Sequence, residues 1–206
     1  MKVLLINGSP HEKGCTYTAL SLIAGELKAQ GIETEILHVG GQPVGGCIGC
    51  GGCRSGNGCV FGGVVNEAIE KAKTADGFVF GSPVHYASAS GNMTSFMDRL
   101  SYAGGKYLAY KPAAICCSAR RAGTTTTLDQ LVKYPEFFHM PLVSGSYWPM
   151  VHGSNPEQVL QDQEGCAVMR ELGRNMAWLL RCIEAGKAAG ISHPENPRRP
   201  MTNFIR

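Results

Sequence analysis

The 206-residue chain has no run of eighteen apolar residues, so no segment reads as a transmembrane helix. A secretory leader is missing too. Met1-Lys2-Val3-Leu4-Leu5-Ile6-Asn7-Gly8 has an apolar stretch too short for one and passes directly into a motif. A cytoplasmic protein with no membrane contact is expected. Net charge is only +3, too little of either sign to point to nucleic acid. The P-loop pattern G-x-x-x-x-G-K-[ST] is absent, which excludes that mode of nucleoside triphosphate binding. So is G-x-G-x-x-G, which argues against a dinucleotide fold. No cysteine is followed by arginine in C-x5-R spacing, so a thiol phosphatase is excluded. There are no internal repeats and no interior linker. Residues 1–190 therefore read as one domain, and 191–206, with Pro194, Pro197 and Pro200, as an extended tail.

What the chain has in quantity is glycine and cysteine, 27 and nine residues. Four of the cysteines, Cys47, Cys50, Cys53 and Cys59, sit at C-x2-C-x2-C-x5-C within a loop at 45–62. Gly51, Gly52, Gly56 and Gly58 are interleaved with them. Glycine lets the chain turn tightly and brings backbone N–H groups close to a bound object. In a reducing compartment such thiols are ligands or reactive groups rather than bridges. The run is similar to the bacterial ferredoxin pattern C-x2-C-x2-C-x3-C-P. Its last gap is longer and no proline follows Cys59, so that comparison supports the first three ligands. Structural zinc prefers two separated C-x2-C pairs. Spacing alone leaves open an iron–sulfur cluster or its relic, zinc, or free thiols. Cys116, Cys117, Cys166 and Cys182 lie in apolar surroundings and read as core residues.

Taken in order, Val3-Leu4-Leu5-Ile6 is a continuous apolar run, as in a strand buried on both faces of a parallel sheet. A Gly/Ser/Thr loop follows, then a helix with Leu20, Ile23, Ala24 and Leu27 on one face that stops at Gly31. Strand, loop and helix N-terminus form a layout suited to phosphate. Glu33–Val39 reads as a second strand near the sheet edge, and Val64–Lys73 as a helix. Gly77–Gly81 is a third strand, ending in Ser82-Pro83-Val84-His85-Tyr86-Ala87-Ser88, a loop able to lie along a flat ligand. The next helix carries Met93, Phe96, Met97 and Leu100 inward, with Asp98 and Arg99 exposed or paired. Pro112–Cys117 is the fourth strand. Its end carries Ser118-Ala119-Arg120-Arg121-Ala122-Gly123, then a helix through Leu128. A fifth strand is expected over Pro141–Trp148 and a single long helix over Gln158–Gly186. This alternation predicts an α/β fold with a doubly wound, five-stranded parallel sheet and helices on both faces. Its ligand should lie at the carboxyl ends of strands one, three and four.

Three stretches carry a resemblance to a known family: Asn7-Gly8-Ser9-Pro10 through Thr18, Pro83-Val84-His85-Tyr86 through Asp98-Arg99, and the compact cysteine run. With them the chain resembles the flavodoxin-like NADPH-dependent FMN reductase superfamily and, within it, the iron–sulfur flavoproteins. The resemblance implies strand order 2-1-3-4-5 and FMN as cofactor. By position, Ser9, His11, Cys15, Thr16 and Thr18 would hold the FMN phosphate. Pro83, Val84, His85, Tyr86, Ala87 and Ser88 would border the isoalloxazine ring, and Ser118, Ala119, Arg120, Arg121 and Gly123 would close its other side. One of the two arginines would face the pyrimidine edge and stabilise the reduced, anionic flavin. The chain departs from the family at His11, Cys15 and His85, where Arg, Ser and Tyr are common.

The resemblance also implies that Cys47, Cys50, Cys53 and Cys59 bind a [4Fe–4S] cluster, covered by a partner subunit in a homodimer or homotetramer. The implied activity is that of an FMN-dependent NAD(P)H oxidoreductase. NAD(P)H or ferredoxin would be the donor, and a small molecule or a protein the acceptor. No side chain acts as a catalytic acid or base. Two other functions stand beside it: a non-enzymatic flavin/iron–sulfur electron carrier, and a metal or thiol sensor with a degenerate flavin site.

Overall fold

In the computed structural model, residues 1–196 and residue 202 are described. The predicted prolines Pro197 and Pro200 and most of the predicted tail lie outside the described residues. Six strands form: β1 (Lys2–Asn7), β2 (Glu33–His38), β3 (Gly77–His85), β4 (Ser88–Ala89), β5 (Ala113–Ala119) and β6 (Met150–His152). Six α-helices accompany them: α1 (Cys15–Ala29), α2 (Val64–Thr74), α3 (Gly91–Gly104), α4 (Thr124–Phe137), α5 (Pro156–Gln161) and α6 (Gln163–Ala188). The sheet order is β2-β1-β3-β5-β6, all parallel, with the short β4 folded back antiparallel on β3. Counted along the chain, the five parallel strands have the expected order 2-1-3-4-5.

The sheet separates two apolar cores because side chains alternate across a strand. Leu4, Ile6, Phe78, Phe80, Ile115 and Cys117 face one side, under α2, α3 and α4. Val3, Leu5, Val79, Ala114 and Cys116 face the other, with residues of α1 and α6. The inner strands are apolar throughout since neither of their faces meets water.

Two expected elements lie elsewhere. The fifth strand is not at Pro141–Trp148. Leu142 makes one bridge to Ala113, and pairing resumes only at Met150, opposite Cys117. Eight residue steps on this side therefore accompany four of β5, and the surplus loops out at the sheet edge. Its aromatic residues suit a strand by composition, yet Tyr147 and Trp148 are exposed and packed edge to face against each other. The long helix is also broken, at Asp162. That carboxylate accepts from Gly165 N at 2.9 Å, capping α6, and from His152 N at 2.8 Å, fastening the end of β6. Asp162→Ala removes both bonds and is expected to cost about 1–2 kcal/mol. Urea unfolding measures it, and an unchanged midpoint would show that neither bond contributes.

Cys182 is a further correction: it is exposed on α6 and not a core residue. Cys116, Cys117 and Cys166 are buried as expected. Burial pushes the Cys117 thiol up to about 12 and raises that of Cys116 as well, so both stay neutral packing groups.

Candidate functional site

Three loops meet at the carboxyl edge of the sheet, after β1, β3 and β5. The first is shaped from beneath by Asn7, fully buried at the end of β1. Its Oδ1 accepts from Ser9 N at 3.1 Å and its Nδ2 donates to Glu12 O at 2.9 Å. His38 Nε2 lies 2.7 Å from Ser9 O, and Ser90 Oγ donates to Gly8 O at 2.8 Å. The Ser9 hydroxyl accepts from His11 N at 3.1 Å. The loop delivers the chain to α1, whose N-cap is Gly14. There is no side-chain cap and no acidic residue in the first turn. A helix start with free N–H groups, the positive end of its dipole and no carboxylate within its own first turn fits a phosphate.

Thr16 is buried there, its hydroxyl 2.8 Å from that of Ser118, which joins the first loop to the third. The other predicted phosphate ligands are placed differently. Thr18 Oγ1 donates to Gly14 O at 3.2 Å along the helix. Cys15 Sγ donates to Gly153 O at 3.5 Å, and burial raises its thiol, so it stands as a neutral donor. His11 is exposed at the loop surface.

The second loop is a strained hairpin. His85 pairs with Ser88, and the two residues between them, Tyr86 and Ala87, have φ of 50° and 59°. Two successive positive φ values are the mark of a type I′ turn, which normally takes Asn or Gly. Side chains are held in such conformations only where the surroundings over-determine them, and such strain clusters at functional sites. Here α4 supplies the restraint. Thr126 Oγ1 donates to Ala87 O at 2.6 Å, and Gln130 Oε1 accepts from Ser88 Oγ at 2.6 Å and from Ala89 N at 2.9 Å. Gly123, at φ 96°, comes so close that a Cβ there would meet Ala87 Cα at 2.5 Å. The Tyr86 side chain is left fully exposed above the turn, and Pro83 and Val84 are half-buried below it. In the third loop Ala119 is buried, while Arg120 and Arg121 stand exposed at the rim. The Arg121 carbonyl lies 3.2 Å from His152 Nε2.

The cysteine loop lies beside the first loop, past the end of β2. Gly49, Gly51, Gly56 and Gly58 have positive φ, so the loop's repeated turns rest on residues without a Cβ. Cys47, Cys50, Cys53 and Cys59 line one cavity of about 280 Å³ together with Phe61, Arg99 and Tyr102. Among the described residues no three His, Cys, Asp or Glu side chains converge closely enough for one metal ion. A single zinc needs its thiolates about 2.3 Å from one point. The four thiols are spread around the cavity wall and do not converge on one such point. Asn66 fixes Cys59: its Oδ1 accepts from Cys59 N at 2.8 Å and its Nδ2 donates to Cys59 O at 3.0 Å.

Arg99 was expected exposed or paired, and it is neither exposed nor paired with an acid. It is buried, 6% exposed, and donates from Nε to Cys59 Sγ at 3.2 Å. Its neighbour Asp98 accepts from Tyr134 at 2.7 Å. A second cavity, about 700 Å³, lies between the two loops, with Pro10 and Glu12 on one side and Phe61 and Arg99 on the other. Helix α3 serves both regions. Ser90, at its start, holds the first loop, and Asn92 binds the carbonyls of Gly40 and Gln42 and the N–H of Val44, ahead of the cysteines. Sequence reasoning missed Asn7, His38, Ser90 and Arg99. The only local signal was a polar residue ending the apolar run of β1.

A doubly wound parallel sheet of this strand order, with three loops meeting at its carboxyl edge, is a flavodoxin-like fold. Over residues 1–155 the chain matches the NADPH-dependent FMN reductase family, and it belongs to that family of FMN-dependent oxidoreductases. Among its relatives is an iron–sulfur flavoprotein of Methanocaldococcus jannaschii, 30% identical over 89% of this chain and 100% of that one. Another, from Archaeoglobus fulgidus, is 30% identical over 91% of this chain and 96% of that one. Among solved structures, RosB with bound 8-demethyl-8-formylriboflavin-5′-phosphate has a TM-score of 0.69 at 14% identity, covering 100% of this chain and 95% of that one. That likeness is one of fold.

Proposed function

We propose that the protein passes electrons from NAD(P)H through FMN to a small-molecule or protein acceptor, with a [4Fe–4S] cluster held by Cys47, Cys50, Cys53 and Cys59. Reduced ferredoxin is the other donor this arrangement would accept. FMN, when bound, supplies both hydride acceptance and single-electron transfer. The chain's own residues bind it and shape its surroundings.

The observation that carries the flavin reading is the three-loop edge, tied together by the Thr16–Ser118 and Thr126–Ala87 bonds around an α1 N-terminus with no acid in its own first turn. There the N–H groups of α1, Ser9 and Thr16 would hold the phosphate. Cys15 and Thr18 would contribute through backbone or rearranged side chains, and His11 would close over it. The hairpin from Pro83 to Ser88 would border the ring. Ser118, Ala119 and Gly123 would face its other side, with Arg120 and Arg121 at the pyrimidine edge. No side chain need transfer a proton as a catalytic acid or base.

The cluster reading draws on the four thiols around one cavity and on the names of the two relatives. The cavity's mouth is ringed by Ile48, Val60, Phe61 and Tyr102, all exposed. An iron–sulfur centre is tuned by its exposure, so these apolar residues are the surface a second copy would cover in a homodimer or homotetramer. Nine free thiols suit a reducing, cytoplasmic setting.

The test is anaerobic steady-state kinetics of the FMN-loaded protein with NADPH and with NADH, using a quinone as acceptor. Turnover in the ordinary enzymatic range, about 1 s⁻¹ or faster, is expected with at least one nicotinamide. Flavin reduction by reduced ferredoxin with no reaction from either nicotinamide would replace this reading with that of an electron carrier.

A further inference from the structure

Arg99 is a buried cation without an anion. Its guanidinium donates to three acceptors: Cys59 Sγ from Nε at 3.2 Å, the Gly45 carbonyl from Nη1 at 3.3 Å and the Gly62 carbonyl from Nη2 at 3.0 Å. None of the ion pairs among the described residues includes it. The Phe61 ring also lies against it, its centroid 5.5 Å from the guanidinium carbon. An isolated charge is disfavoured in a protein interior unless something of opposite sign offsets it. Arg99 lines two cavities, one with Glu12 on its far wall and one holding the four cysteine sulfurs and whatever they bind; of these groups the Cys59 sulfur is the one to which the guanidinium donates.

The two carbonyls are informative by position. Gly45 precedes Cys47 and Gly62 follows Cys59, so one side chain bridges both ends of the cysteine loop. The planar guanidinium fork can reach three acceptors at fixed angles, which an ammonium cannot copy. Arg99 itself sits on a packed helix: Phe96, Met97 and Leu100 beside it are buried. A rigid element therefore supplies the clamp that a glycine-rich loop lacks.

We propose that Arg99 is the positioning residue of the cysteine site: it closes the Cys47–Cys59 loop at both ends and gives the thiolate-bound centre its positive charge. The inference rests on the reading of those four cysteines as cluster ligands. A cluster bound by four thiolates is net anionic, and reduction adds negative charge. A cation donating a hydrogen bond to a ligating sulfur favours the reduced form and raises the potential.

The experiment compares the full-length FMN-loaded protein with Arg99→Gln and Arg99→Lys. After anaerobic reconstitution, iron, sulfide and FMN per chain are assayed. The cluster potential is titrated by electron paramagnetic resonance, and amide exchange is followed across residues 45–63. Arg99→Gln should lower the ratio of reduced to oxidised cluster at a fixed potential about tenfold, a downward shift of about 59 mV for one electron. Its loop should exchange faster, with FMN content unchanged. Arg99→Lys, which keeps the charge and loses the fork, should restore most of the potential and leave exchange fast. If the Gln variant does not fold, the Lys variant decides: wild-type exchange there overturns the clamp. A wild-type potential and wild-type exchange in Arg99→Gln overturn the inference outright. Should the wild-type protein take up no iron or sulfide, the cluster reading itself fails. Loop exchange then judges Arg99 alone, faster exchange in Arg99→Gln supporting the clamp and unchanged exchange overturning it.

Discussion

Replacing Cys53 with serine will strip the reconstituted protein of iron and acid-labile sulfide while leaving about one FMN per chain. Cys53 lies in the middle of the run, on the single 3₁₀ turn Gly52–Ser55, where the loop turns most tightly. It is half-buried, whereas Cys47 and Cys50 are exposed. A serine hydroxyl is not ionised at neutral pH and is a poor ligand for iron, so the site loses one of its four anionic donors. The fold should not change, because Cys53 belongs to neither apolar core. The three-loop edge proposed to seat FMN shares no side chain with the cavity. Iron and sulfide assays against flavin absorbance measure the effect, expected as a fall from about four irons per chain to nearly none. Retention of wild-type iron in Cys53→Ser would remove this residue from the ligand set. The same result for all four cysteines would leave the loop without a metal role.

Gly14→Asp should weaken FMN binding at least a hundredfold, with only a small change in the stability of the apo-protein. Gly14 is the N-cap of α1, in extended conformation, so a side chain is conformationally acceptable there. Its Cβ would come 2.9 Å from that of His11, so the exposed loop backbone at His11 must shift to admit it, which offsets what the new cap contributes. Aspartate is among the best N-cap residues but improves on glycine there by only a few tenths of a kcal/mol. The same carboxylate would occupy the N–H groups that a phosphate needs and would repel its charge. At about 4 Å and an effective dielectric near 20, each pair of like charges costs about 4 kcal/mol. Solvent screening at a half-open site leaves enough for a hundredfold loss, about 2.8 kcal/mol. Flavin fluorescence titration reads the affinity and thermal unfolding of the apo-protein reads the cap. Unchanged affinity with little change in stability would mean the phosphate lies elsewhere. Markedly lowered apo-stability would mean the loop cannot accept the side chain.

Much of the architecture was legible from apolar runs alone. β1, β3 and β5 are short runs buried on both faces, and the loops after them carry the Ser, Thr, Gly and Pro residues by which a ligand edge is recognised. The compact cysteine spacing needed no structure, since four thiols within thirteen residues can hardly avoid a common neighbourhood. The misplaced fifth strand shows where composition misleads. Pro141–Trp148 has a strand's residues, but the pairing needs only some of them, and the excess is expelled at an open edge where nothing packs above it. The broken C-terminal helix was hidden for a related reason. Asp162 suits a helix surface as well as a cap, and the N–H of His152 that helps decide between them belongs to a different element.

The sequence by itself determined the class of fold, the three loops at the carboxyl edge of the sheet, the family and the four thiols, because each is written in neighbouring residues or in a regular period. Only the tertiary structure decided what holds those parts to one another. Ser90 reaches Gly8 across 82 residues, Thr16 meets Ser118 across 102, and Arg99 finds Cys59 across 40. A serine, a threonine or an arginine looks the same in sequence whether it points to water or into such a contact. Its partner is chosen by how helices pack on a sheet, and that packing is settled by the whole apolar core at once rather than by any local stretch.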